Sequence, residues 1–323
     1  MTLALSLFAT VLTGGRRFAH VERLREDEVV KRFIGAARLP SAMTLTRYFG
    51  GFVRSQVEQL SAVLAEHTRV RLARLPGDVL DLDSTVFERY GRQQGRLKGH
   101  NPSKHGRPSH HPLLAMLARS KLVLHSWLRS GNSGSARGVS GFLAEALARL
   151  PEGFAVEGLR ADSGFFVRER IAERPDAKGR RLFDLPGYTF HTVVTTLDLP
   201  AIEVWRFYNG RSDCENRLKE LKHDYGADGF CLNTFEGTEA VFRLICAFYN
   251  LLAAFKAEVT RDPAPQLARL RTEHLALLER IDASTRSTVM QSRNALEPLA
   301  FTASRPWQPR PARRSSAPRA PLI

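Results

Sequence analysis

Apolar positions divide the chain into two regimes. The first thirteen residues, MTLALSLFATVLT, are apolar on almost every side. They lack the basic start and small-x-small cleavage site of a signal peptide, so they read as a buried helix, or as a segment trimmed by a later start codon. Helical spacing then governs up to residue 75. Glu26–Ile34 is a short amphipathic helix and Gly35–Pro40 a break. Ser41 or Thr44 caps a second helix that runs through Phe49 to Gly50-Gly51. Helix, break, helix suits a helix-turn-helix whose second helix offers Thr44, Thr46 and Arg47 to DNA, and it suits an ordinary helical hairpin equally. Phe52–Leu75 continues as a helix with Val57, Leu60, Val63 and Leu64 on one face. Leu75-Pro76-Gly77 ends it and marks a boundary.

After that boundary the period changes to two. In DVLDLDST (78–85), Val79, Asp81 and Asp83 share one face of a strand, with Leu80 and Leu82 on the other. Carboxylates on a strand are costly to bury without a cation or hydrogen bonds. A turn or cap explains Asp83 but leaves Asp81 without a role. His111–Arg119 and Lys121–Arg129 read as two more strands, Ala136–Leu150 as an amphipathic helix, and Gly158–Phe165 as a strand that delivers Asp162. Strand, strand, strand, helix, strand is the start of an RNase H-like α/β fold. There the first strands pair antiparallel, the fourth lies beside the first, and a later helix brings a third acid.

That third acid belongs to Tyr208–Lys222, YNGRSDCENRLKELK. Tyr208, Arg211, Glu215 and Lys222 follow one another at steps of three, four and seven, which return to one face of a continuous helix. A single carboxylate flanked by two cations suits a metal ligand beside a polyanion better than a neutral surface. Tyr188–Thr195 reads as one more strand. Ala240–Phe255 is the most apolar stretch, but it carries Arg243 and reads as a core helix. No run reaches the ~18–20 apolar residues of a membrane span.

Charge narrows the class of partner. Lys and Arg number 48 against 33 Asp and Glu, a net charge of +15, which points to nucleic acid. Residues 86–112 concentrate this charge in Arg92, Lys104 and Arg107, among others. They are rich in Gly and His and read as a long hairpin loop against phosphates. The three cysteines, Cys214, Cys231 and Cys246, have neither zinc nor disulfide spacing, which makes a reducing cytoplasm the default. Pro263–Ile281 is helical. Ser284–Ile323, rich in Pro, Arg and Ser, reads as a disordered cationic tail.

The stripe matches Y-x2-R-x3-E-x6-K, the signature of insertion-sequence transposases of the IS-four-like clan. LDLDSTVFERYGRQ, KHGRPSHHPLLA, LHSWLRSGN, RADSGF and GRSDCENRLKELKHDYGADGF closely resemble insertion sequence family 1380, from about Phe18 to Phe255. This resemblance implies a DDE transposase with three parts: an N-terminal helical DNA-binding domain (1–76), an RNase H-like catalytic domain (77–260), and a C-terminal helix with its basic tail (261–323). It implies Asp83, Asp162 and Glu215 as a triad for two Mg²⁺ ions, with Mn²⁺ as substitute, and favours Asp83 over Asp81 as the first acid. Tyr208, Arg211 and Lys222 would hold DNA. The partners implied are double-stranded DNA, as element ends and as target, and further copies of the chain, because joining two ends needs a paired assembly. Compared with the family, residues 166–188 look shortened, as though an internal segment were lost, and the tail departs as in a frameshifted or truncated element. The alternative function is an inactive remnant that only binds DNA.

Overall fold

The computed structural model describes residues 1–99, 101, 104–165 and 193–259. The expected helix 263–281, the tail 284–323 and the shortened stretch 166–188 lie outside the described residues. So does most of the expected strand Tyr188–Thr195, whose last three residues, 193–195, are not in a strand.

The N-terminal helices follow their local signals. The apolar opening segment forms α1 (Thr2–Leu12), with Leu7 and Val11 fully buried. Asp27 caps α2 (Glu28–Ile34): its carboxylate accepts the N–H groups of Val29 and Val30, and Gly35 closes the helix at φ +69°. Ser41 caps α3 (Ala42–Gly50) through the N–H of Thr44 at 3.2 Å. Caps of this kind stabilise a helix by about 1 kcal/mol. The helix-turn-helix expectation meets a different arrangement. Residues 35–41 are too long for its three- to four-residue turn, and α2 packs on α1 while α3 packs on the 3-10 segment Phe18–Leu24. A long helix, α4 (Arg54–Leu72), follows.

At Gly77 the chain enters the sheet. β1 (Gly77–Ser84) is central. β5 (Leu113–Leu117) pairs antiparallel with it, β6 (Val123–Trp127) lies beyond β5, and β7 (Ala155–Ala161) pairs parallel on the other side. The order β6-β5-β1-β7 makes a four-stranded mixed sheet. α5 (Val139–Leu147) forms the crossover and covers one face. Leu80 and Leu82 point to that side, into a cluster with Leu113, Ala115, Leu117, Phe142 and Ala146. Asp81 and Asp83 stand opposite Met116 and Leu114, whose side chains belong to the larger cluster on the other face.

Residues 86–112 differ from the expected hairpin loop. They contain β2 (Phe87–Glu88), β3 (Leu97–Lys98) and β4 (Pro108–His110), a small sheet ordered β2-β4-β3. Some of the basic residues turn inward. Buried Arg89 donates to His110 Nδ1 at 2.9 Å and to the carbonyl of Asp228 at 2.6 Å. Burial, and then the charge of Arg89, pull His110 down to about 4. Arg92, Lys104 and Arg107 remain exposed.

Three helices complete the described chain: α6 (Ala201–Asn209), α7 (Ser212–His223) and α8 (Phe235–Val259). The expected continuous stripe is interrupted. Gly210 and Arg211 form a tight turn in which the Arg211 N–H bonds Tyr208 O at 2.9 Å, and α7 starts afresh at Ser212. α8 supplies the centre of the larger cluster, with Ala240, Val241, Phe242, Ile245 and Tyr249 packed among residues of α1, α3, α4 and α7. Phe235–Ala257 is long and apolar enough to cross a membrane, a longer stretch than the sequence suggested, yet 67% of its most apolar window is buried in this fold. The helix also holds a buried Arg243–Glu239 pair at 2.6 Å. The helices before β1 therefore share one core with those after β7.

Candidate functional site

The site forms where β1 ends, where β7 ends, and where α7 begins. Asp83 is the penultimate residue of β1, and its Oδ1 accepts the N–H of Ser84 at 2.7 Å. Asp162 follows the last residue of β7, and its Oδ1 accepts the N–H of Gly164 at 2.8 Å. These backbone bonds take one oxygen of each aspartate and leave the other facing the site. Glu215 lies on the first turn of α7, one turn after Arg211.

One guanidinium joins the three carboxylates. Arg211 Nη2 lies 3.1 Å from Asp83 Oδ2 and 3.7 Å from Asp162 Oδ2, while Nη1 donates to Glu215 Oε1 at 3.0 Å. The Asp83 and Arg211 side chains are 7% and 8% exposed, against 37% for Asp162 and 52% for Glu215. The inner pair therefore carries most of the electrostatic stress, and the outer two acids open to solvent. Burial pushes the Asp83 carboxyl up to about 6; repulsion from Asp162 and Glu215 adds to this, and Arg211 and the Ser84 N–H oppose it. Burial also works against the charge of Arg211, but the carboxylates outweigh it and hold its pKa above the ordinary value.

This environment sets a pH dependence. In an unfolded chain Asp titrates near 3.9, whereas in the fold Asp83 titrates near 6. The folded state thus holds an extra proton between those values. The carboxylate's contribution to stability falls as pH rises from about 4 to about 6, and the loss is complete above that window. We expect the stability difference between wild type and Asp83→Asn, measured by urea titration in chelator, to move against the wild type across this window. A flat difference would show that the carboxylate titrates normally.

Asp81 lies two residues before Asp83 on the same face, and its neighbourhood differs. Arg160 grips it with both arms: Nε lies 2.6 Å from Oδ1 and Nη2 2.8 Å from Oδ2. Asp81 is taken up bidentately by one guanidinium, whereas Asp83 faces Asp162 and Glu215 across Arg211. Cys214, beside these acids, is buried, and burial pushes its thiol far above the ordinary range.

The sequence-derived candidates separate into groups. Asp83, Asp162, Glu215 and Arg211 come together. Arg211 does not lie on an open DNA-facing stripe: it shares a face with Glu215, and that face packs on Asp83 and Asp162. Tyr208 is half-buried on the last turn of α6, and Lys222 is half-buried near the end of α7, where its carbonyl accepts from Arg16. Thr46 and Arg47 are exposed on α3. On the small sheet, Lys104 pairs with Glu88 at 2.9 Å, Arg107 lies 4.7 Å from the Tyr90 ring centre, and Arg92 stands exposed nearby in the chain. Sequence reasoning gave no role to Arg160. Two signals pointed to it: Asp81 needed a partner, and Arg160 precedes Asp162 by the same two residues by which Asp81 precedes Asp83.

Among the described residues, no three His, Cys, Asp or Glu side chains stand close enough together to hold a metal ion directly. The donor set nonetheless suits a hard divalent cation. It consists of oxygens alone, carries three negative charges, and already converges on a positive charge. In this structure that positive charge is the Arg211 guanidinium.

A family model described as "Transposase DDE domain group 1" matches residues 2–180, a span that includes Asp83 and Asp162 and ends before Glu215. No curated protein and no solved structure matches the chain.

Proposed function

Because the chain belongs to the DDE transposase domain family, we propose that it is an insertion-sequence transposase that binds the inverted repeats of its element, cleaves DNA strands there and joins their 3′ ends to a target. The observation that carries this reading is the convergence of three carboxylates, from β1, β7 and α7, on one cation. The sheet order supports an RNase H-like core: an antiparallel pair, then a parallel strand beside the first after a helical crossover. The motifs around Asp83, Asp162 and Glu215 support insertion sequence family 1380 as the particular branch.

In this reading Asp83, Asp162 and Glu215 hold the divalent metal, Mg²⁺ with Mn²⁺ as substitute. When bound, the metal supplies Lewis-acid stabilisation of phosphate oxygens and an activated oxygen nucleophile. The protein's own residues do the rest. Asp83 must lose its proton to serve, which the raised pKa delays until near neutral pH. Arg211 must leave the carboxylates, and once released it offers a planar fork to a phosphate. Lys222 on α7 and Tyr208 on α6, which flank the turn, extend that contact along the strand. Thr46 and Arg47 on α3, with Arg92, Lys104 and Arg107 on the small sheet, add phosphate contacts that position the duplex. Joining two ends requires a homo-oligomer, and the reaction belongs to the bacterial cytoplasm, at the nucleoid.

A second reading, a DNA-binding remnant without chemistry, rests on the short connection between residues 166 and 188. One assay separates the two. Purified protein is mixed with a duplex bearing the element's terminal repeats, in Mg²⁺ or Mn²⁺. Strand cleavage at the repeat end supports the transposase. Binding without cleavage in either metal supports the remnant. Cleavage indifferent to the repeat sequence points to a general nuclease.

A further inference from the structure

The Arg160–Asp81 pair lies next to the carboxylate cluster, yet neither residue contributes to it. Arg160 is buried and divides its guanidinium between two elements. Nε and Nη2 hold Asp81 on β1, and Nη1 donates to the carbonyl of Phe207, in the last turn of α6, at 2.8 Å. The Phe207 ring lies 5.3 Å from the same guanidinium. That ring rests on Gly158, where a Cβ would come within 2.6 Å of it, so β7 is bare where α6 docks. Three residues beyond Phe207 is Gly210, and a side chain there would strike Arg160 Nη1. The turn that separates α6 from α7 is therefore built directly on Arg160.

Strand register adds a second constraint. Asp81 and Arg160 are paired positions of the parallel strands β1 and β7. Asp83 and Asp162 follow each of them by two residues, on the same face. The backbone ladder from Gly77 to Leu82 thus sets the two aspartates level with each other, and Arg160, projecting from that ladder, seats the turn that launches Glu215. We infer that Arg160, held by Asp81, is a positioning residue that places Glu215 opposite Asp83 and Asp162. The inference rests on the reading that those three acids hold a metal. A plain buried ion pair is the competing account. Such pairs contribute little net stability against an apolar replacement, and this one spends a third donor on the α6 carbonyl that leads into the site. The body of α7 has other anchors, Leu218 and Leu221 in the core and the Lys121–Asp213 ion pair. The Arg160 contacts described here act at its start.

Mn²⁺ affinity tests this without any turnover. The full-length chain is titrated with Mn²⁺, and the free ion is followed by electron paramagnetic resonance. The variants are Glu215→Gln and Asp162→Asn, each in the wild-type and Arg160→Met backgrounds. Circular dichroism confirms that each is folded. Positioning partners typically change metal affinity by about 10–100-fold, and we expect a loss of that size for Arg160→Met. In that background Glu215→Gln should add little, because Glu215 is already out of place, while Asp162→Asn keeps its full effect. If Arg160→Met does not fold, Arg160→Lys keeps the charge beside Asp81 without the fork that reaches Phe207, and the same coupling is expected on a smaller scale. Equal costs of Glu215→Gln in both backgrounds overturn the inference and leave the metal reading intact. If wild type binds no Mn²⁺ that Glu215→Gln and Asp162→Asn weaken, the metal reading fails and the inference fails with it.

Discussion

Glu215→Gln should reduce strand cleavage by on the order of 10³-fold or more, a loss of about 4 kcal/mol in transition-state stabilisation, while binding to the terminal repeats persists. The substitution is isosteric and removes one negative charge from a side chain that is 52% exposed. Its cost to folding is accordingly small, within about 0.5 kcal/mol, as at other surface positions. Asp83→Asn and Asp162→Asn should abolish cleavage to the same extent, because three acids that share one cation act as a unit and their losses do not add. They differ in stability. Asp83 is buried at the cost of its charge, so its neutralisation leaves the metal-free fold no weaker at neutral pH. Rates of strand nicking on a labelled repeat duplex, with gel-shift titrations of the same variants, provide the measurement. Cleavage by Glu215→Gln at wild-type rates would remove Glu215 from the site.

The largest expected effect on stability comes from Arg211→Ala in metal-free protein. Without the guanidinium, Asp83 remains buried beside two other carboxylates. Breaking a buried pair by removing one partner costs about 3–5 kcal/mol. The inner pair accounts for most of that figure, since the Asp83 and Arg211 side chains are 7% and 8% exposed. The contacts to Asp162 and Glu215 are more open and count for less. The loss should shrink below about pH 6, where Asp83 takes up a proton. It should also be offset by Mn²⁺, which at a hundred times its Kd restores about 2.7 kcal/mol by mass action. Wild type has Arg211 to displace first, so Mn²⁺ should raise its Tm less than that of the variant. Denaturant melts with chelator and with Mn²⁺, near pH 5 and pH 7.5, provide four comparisons. Equal stability of wild type and Arg211→Ala in chelator at the higher pH would show that the guanidinium is not the counter-ion of Asp83.

Arg211 also shows where linear reading reached its limit. The steps between Tyr208, Arg211, Glu215 and Lys222 suggest one stripe on one helix, and a stripe with two cations suggests an open face for DNA. A turn at Gly210-Arg211 separates α6 from α7, and Arg211 still shares a face with Glu215, but that face meets Asp83 and Asp162 rather than water. In residues 86–112, likewise, glycines and cations suggested an open loop. Pairing of three short strands hid Arg89 and His110 and left Arg92, Lys104 and Arg107 outside. The reason is the same in both places. Local spacing records which residues can share a face, but a partner distant in the chain decides whether that face meets water.

Much of the rest was legible because it depends on near neighbours. Asp27 and Ser41 cap the helices they precede, the period of two from Val79 to Asp83 marks β1, and Leu80 and Leu82 point away from Asp81 and Asp83. Spacing and charge alone establish a mixed α/β chain with a strongly basic balance, acids at the ends of two strands, and a glutamate within a later helix. Each of these follows from periodicity and charge within a short window. Contacts across the fold settle that Asp81 and Asp83 have different partners, that Arg211 bridges three acids, that Glu215 opens a new helix, and that the helices before β1 and after β7 share one core. Those outcomes depend on contacts between residues far apart in the chain, such as Asp81 with Arg160 and Asp83 with Arg211, whose energies arise only when the folded chain removes both partners from water.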